Sequence, residues 1–113
     1  MSYVFAYITA QDLSEAELIG GTLVEKKLAA CVNIFTHMQS IYMWEGKMEK
    51  SQEVVIIAKT ADKLKDRLLD QVKKTHSYDC PCVVFLPVEG GNPEFLQWID
   101  DQTASRSLLH TLT

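Results

Sequence analysis

An α+β domain is predicted, a ferredoxin-like βαββαβ sandwich with an antiparallel sheet, a long hairpin between its second and third strands, and an extra C-terminal helix. Two observations lead there. Segments of strand and helix character follow in the order β-α-β, β-α-β, then α, which two right-handed split units satisfy with both helices on one face. The 113 residues also match the size of one domain, so a single core over 1–113 is expected, with 103–113 as a tail.

Val4 to Ile8 is apolar on both faces, the pattern of a central strand. Asp12-Leu13-Ser14-Glu15 then reads as a helix start, with Asp12 accepting from the backbone near Glu15 and Glu15 reaching back. Leu13, Ala16, Gly20, Leu23, Val24 and Leu28 recur at helical spacing, placing one face of residues 12–28 on the sheet. Gly20-Gly21 costs that helix about 1 kcal/mol per glycine, a penalty that predicts a close neighbour. Cys31 to Trp44 and Lys47 to Lys59 are strand-like, the first interrupted at Thr36-His37-Met38, and Glu45-Gly46 supplies a tight turn. Thr60-Ala61-Asp62 opens a second helix whose buried face is Leu64, Leu68 and Val72. Cys82 to Val88 is the last strand. Asn92 and Pro93 begin a third helix with Phe95, Leu96, Trp98 and Ile99 on its apolar side. The tail carries Leu108, Leu109 and Leu112, suited to crossing to a partner or to lying loose.

The hairpin outgrows a monomer. Fourteen extended residues from Cys31 to Trp44 reach roughly 46 Å, whereas a compact domain of this length is only about 34 Å across. The projecting tip carries Ile41, Tyr42, Met43 and Trp44, so a partner chain is expected there, with Trp44 at or beside the interface. The competing reading is a bulged hairpin that curls back on its own core.

A net charge of −4 without a basic patch excludes a nucleic-acid partner of the usual kind. The longest apolar runs, such as Val54 to Ala58, are too short for a bilayer, and the N-terminus lacks a signal-peptide pattern. Three cysteines without a secreted disulfide spacing favour free thiols in a reducing compartment, and a cytoplasmic location is expected.

Chemistry concentrates at one place. Cys80-Pro81-Cys82 follows His76 closely, and thiolate with imidazole suits copper(I), zinc or mercury. At the start of a strand the two thiols would share a face. Against this, a lone C-x-C pair is a weak signal, and free cysteine is commonly buried as a small hydrophobe. That reading is favoured for Cys31, which opens a strand. His37 and His110 have no ligand-like neighbours and are expected at the surface. A catalytic cysteine and histidine would need an oxyanion donor and an orienting acid, neither of which is recognisable, so no enzyme is predicted. Glu45, Glu49 and Glu53 read as a solvated strand face.

Taken together, Leu28-Ala29-Ala30-Cys31-Val32-Asn33, Ile41 to Lys47, Lys59-Thr60, His76-Ser77-Tyr78, Leu86-Pro87-Val88 and Phe95-Leu96-Gln97-Trp98 resemble the CutA family over residues 4 to 101. The resemblance implies a homotrimer built by strand pairing between protomers, cytoplasmic location, and binding of or tolerance to divalent metals such as copper, with no essential cofactor. It is also similar in shape to the PII signalling proteins, which implies as the other function a trimeric scaffold or sensor holding a small ligand between subunits near Lys59, His76 and Tyr78. Two departures stand out. The family's His-Pro-Tyr is His76-Ser77-Tyr78, and the glutamate proposed as a metal ligand is Cys82. A first-strand cysteine found in some members is Ile8. The expected metal ligands are therefore His76, Cys80 and Cys82.

Overall fold

Strand β1 (Tyr3–Ala10) occupies the middle of a four-stranded sheet in a computed structural model that describes residues 2–104. It is flanked by β3 (Lys47–Ala61) and β4 (Val83–Val88), with β2 (Cys31–Trp44) outside β3, giving the order β2-β3-β1-β4 with every pair antiparallel. This is the order of the ferredoxin-like sandwich. The apolar tail residues and His110 lie outside the described residues.

Alternation along β1 sends Ala6, Ile8 and Ala10 to one face. There they pack with Ile56 and Ala58 of β3 against Ala16, Ile19 and Leu23 of α1 (Leu13–Glu25) and Leu68 and Val72 of α2 (Lys65–Thr75). Asp12 caps α1 by accepting from the Glu15 N–H at 2.8 Å, and Glu15 reaches back to the Gln11 N–H at 2.9 Å. The helix ends at Glu25, before the residue 28 that periodicity suggested. Lys27 takes a left-handed φ of 59°, and the Leu28 N–H turns back to the Leu23 carbonyl at 2.9 Å. A 3-10 turn, Asp62–Leu64, precedes α2.

The third helix, α3 (Pro93–Thr103), lies on the opposite sheet face. Its Ile99 packs with Tyr3 and Ala30, and the Tyr3 hydroxyl donates to Asp100. Lys59 reaches over the rings of Phe5 and Phe95, at 5.7 and 5.4 Å from their centroids. α3 covers only this end. Register places Tyr7, Val84, Leu86 and Phe35 on the same face farther along, where Val84, Leu86 and Phe35 are half exposed.

The two glycines of α1 differ. A Cβ on Gly20 would lie 2.8 Å from a γ-methyl of Val32, whereas one on Gly21 would meet nothing within 4 Å. The close approach expected for the pair belongs to Gly20 alone. Overpacking costs about 1–3 kcal/mol against a helix-propensity gain of about 1 kcal/mol. Gly20→Ala should therefore lower the thermal midpoint by several degrees while Gly21→Ala raises it slightly, as differential scanning calorimetry would show.

The hairpin projects. The domain measures 56 × 27 × 21 Å with a radius of gyration of 15.5 Å, more elongated than a compact chain of this length. Glu45 and Gly46 both have positive φ, 50° and 81°, as a two-residue type I′ turn requires. The interruption at Thr36-His37-Met38 is a β-bulge: the register shifts between Phe35 and Met38, and His37 has φ 64°.

Candidate functional site

Between the end of α2 and the start of β4, residues 76–82 form a loop that four anchors hold against the sheet. At the C-cap of α2, His76 points its ring at β1, and its Nε2–H donates to the Thr9 carbonyl at 2.7 Å. A carbonyl only accepts, so the proton sits on Nε2. Nδ1 then accepts the Tyr78 N–H at 3.0 Å. Both ring nitrogens are thus engaged by backbone. Glu15 supplies the second anchor by accepting the Ser77 N–H at 3.0 Å. The third is the Tyr78 hydroxyl, which donates to Glu53 at 3.1 Å, while the other Glu53 oxygen accepts from Ser40 at 2.6 Å. Finally, the Thr9 N–H donates to the Cys82 carbonyl at 3.3 Å.

Cys80 and Cys82 are exposed free thiols in this loop, and β4 begins only at Val83. The shared strand face expected for them is absent. They do line one groove of about 820 Å³, walled on the hairpin side by Tyr42, Trp44, Glu49, Ser51 and Glu53, and on the loop side by Ser77, Tyr78 and Asp79. Among the described residues no lysine, arginine or histidine lines it. Among the described residues no three His, Cys, Asp or Glu side chains are grouped closely enough to hold a metal ion. Lys59 is not part of the groove. It sits four residues along β3 from Val55, the partner of Thr9, about 13 Å away at strand spacing. Cys31 is half buried on the face opposite α1 and α2.

Sequence reasoning missed Glu15 and Glu53 as anchors. Glu15 carried only a capping signal, and Glu53 read as a solvated strand residue; their loop partners are 62 and 25 residues away in the chain. Burial and the hydrogen bond to Glu53 push the Tyr78 hydroxyl up to about 12, with the charges of Glu53 and Glu15 adding to the effect. Burial also pushes the Glu15 carboxyl up. Hydrogen bonds from the Gln11 N–H and from Ser77, together with nearby His76, outweigh it and hold Glu15 below its ordinary 4.5.

A depressed carboxyl stabilises the fold above its unfolded pKa, and the contribution disappears as pH falls through the folded value. Glu15→Gln should lower stability at neutral pH by about 0.5–1 kcal/mol after allowance for solvent screening. Thermal melts of both proteins should converge as pH drops below about 4.5. A constant gap across that range would detach Glu15 from the acid response.

Residues 4–102 match the sequence model of the family described as CutA1 divalent ion tolerance protein. The divalent-cation tolerance protein CutA of Archaeoglobus fulgidus is 50% identical over 97 residues, covering 86% of this chain and 94% of its own. A chloroplastic CutA 1 of rice is 39% identical over 88% of this chain, which spans only 56% of that relative's length. Among solved structures, CutA1 of rice superposes with a TM-score of 0.90 at 37% identity, covering 93% of this chain and 96% of its own. A structure described as the periplasmic CutA of Archaeoglobus fulgidus gives 0.88 at 48% identity, covering 90% of this chain and 99% of its own. These relatives overturn the cytoplasmic expectation, since they are described as chloroplastic and periplasmic. Apolar run length and cysteine spacing describe a domain's own surface and do not encode its compartment. On the match over residues 4–102 and the 50% identity, the chain belongs to the CutA1 divalent ion tolerance protein family.

Proposed function

We propose that this chain works as a non-catalytic homotrimer that binds a divalent or soft metal ion, copper or zinc by its donor chemistry, in the groove beside residues 76–82. The observation that carries this reading is the lining: two free thiols and three carboxylates, Glu49, Glu53 and Asp79, with no basic side chain among the described residues to oppose a cation. Cys80 and Cys82 supply soft thiolates. His76 completes the set by releasing the Tyr78 N–H from Nδ1, so metal binding and loop geometry are coupled. Assembly is supported by the half-exposed apolar face around Phe35, Val84 and Leu86 and by the projecting hairpin. The test is titration of copper(I) and zinc into untagged, reduced protein. Saturable binding at a fixed ratio of ions to chains is expected, and its absence would remove the metal reading.

A second reading, a PII-like sensor of a small ligand between subunits, is favoured by one observation. The groove is far larger than an ion needs, and its hairpin wall lies on the same sheet face as Phe35 and Val84, so a partner seated there would close it. Small-molecule binding that persists without the thiols would mark this alternative.

A further inference from the structure

The helical side of the domain carries a second pocket, separate from the groove and from the uncovered sheet face. It has a volume of about 330 Å³ and lies where the end of α1 meets α2, lined by Lys26, Leu28, Arg67, Asp70, Gln71 and Lys74. Three cations face a single carboxylate in a protein whose net charge is −4. None of the three is quenched. The ion pair among the described residues is Lys65 with Asp62, and no carboxylate comes within 4 Å of Lys26, Arg67 or Lys74.

Helix electrostatics account for two of these charges and leave the third. Lys26 at the C-cap of α1 and Lys74 in the last turn of α2 complement the negative poles of their helices. Arg67, however, is the third residue of α2, at the positive pole, where a cation is disfavoured. It makes no hydrogen bond among the described residues, and neither does the side-chain amide of Gln71 one turn on. Arg67, Gln71 and Lys74 share one helix face at i, i+4 and i+7, spanning about 10 Å, with Lys26 across the gap.

We propose that this pocket binds a phosphate dianion, either free or as a monoester. Arg67 supplies the planar fork that matches two phosphate oxygens, Lys26 and Lys74 neutralise the remaining charge, and Gln71 donates an amide hydrogen. Half-buried Leu28 gives the floor an apolar patch against which the carbon part of an ester can rest. The site stands on α2 and the turn that follows α1, so it rests neither on the metal reading nor on assembly.

The test follows backbone amide NMR shifts of the full chain during titration with inorganic phosphate and, separately, glycerol 3-phosphate, at constant ionic strength. Saturable shifts at Leu28, Gln71 and Lys74 are expected, weakened about tenfold in Arg67→Gln and unchanged in Lys73→Gln, a neighbouring cation outside the pocket. Stronger binding of glycerol 3-phosphate assigns the site to esters, and equal or weaker binding assigns it to free phosphate. Linear, unsaturated shifts spread over all lysines up to about 20 mM, or equal binding by Arg67→Gln, would overturn the proposal. Arg67 is exposed, so its substitution leaves the fold available for measurement.

Discussion

Val84→Glu/Leu86→Glu is expected to run as a single 12.8 kDa chain in sedimentation or light scattering, while the wild type runs at three times that mass. Both side chains lie on the sheet face that α3 leaves uncovered, 50% and 52% exposed, beside Phe35 at 55%. In a single chain two glutamates there meet water and cost little. Seated against another protomer they would bring unpaired carboxylates into an apolar contact, at several kcal/mol each, which outweighs a typical margin of association. Leu18→Glu is the control. It is 60% exposed but sits on α1, on the far side of the sheet, and should leave the mass unchanged. Trp44→Ala at the hairpin end should weaken assembly less completely, because it removes apolar area without adding charge. A wild type that is itself monomeric at micromolar concentration would end the trimer proposal.

The second large effect concerns the thiols. Cys80→Ser/Cys82→Ser should lose about a hundredfold or more in copper(I) or zinc affinity, since a neutral hydroxyl replaces each soft thiolate. Stability should barely move, because both cysteines are exposed and only the Cys82 backbone is tied to β1. Affinity in the wild type should fall as pH drops and the thiols take up protons. His76→Ala separates donor from anchor: it removes a ligand but also unties the loop from Thr9 and Tyr78, so it should lower both affinity and thermal midpoint. Equal metal binding by wild type and the double cysteine variant would shift the weight to the small-ligand reading.

Local signals were legible in the sequence wherever one residue's chemistry answers to its near neighbours. Asp12, Glu45-Gly46 and Asn92-Pro93 mark boundaries found in the structure because caps and tight turns are set within four residues. Leu64, Leu68 and Val72 form the buried stripe their spacing indicates. Long-range partners were not legible. That His76 is held by Thr9, 67 residues away, depends on how the strands are brought together, and periodicity carries no trace of it. Cys80 and Cys82 read as strand residues because an apolar run follows them. Pro81, lacking an N–H, and the wiring of Tyr78 keep the chain irregular until Val83.

The bulge at His37 also sets the phase of the hairpin. Before it, odd-numbered Asn33 and Phe35 stand opposite Ile57 and Val55; after it, even-numbered Met38, Ser40, Tyr42 and Trp44 stand opposite Glu53, Ser51, Glu49 and Lys47. One surplus residue has exchanged the parity of everything beyond it, so Tyr42 and Trp44 join the side of the sheet that holds Phe35. Closing the bulge while keeping His37 would therefore act at a distance: the register would slip by one, Ile41 and Met43 would stand opposite Glu49 and Lys47 in the places of Tyr42 and Trp44, and the groove would lose its aromatic wall although no residue of that wall had been changed.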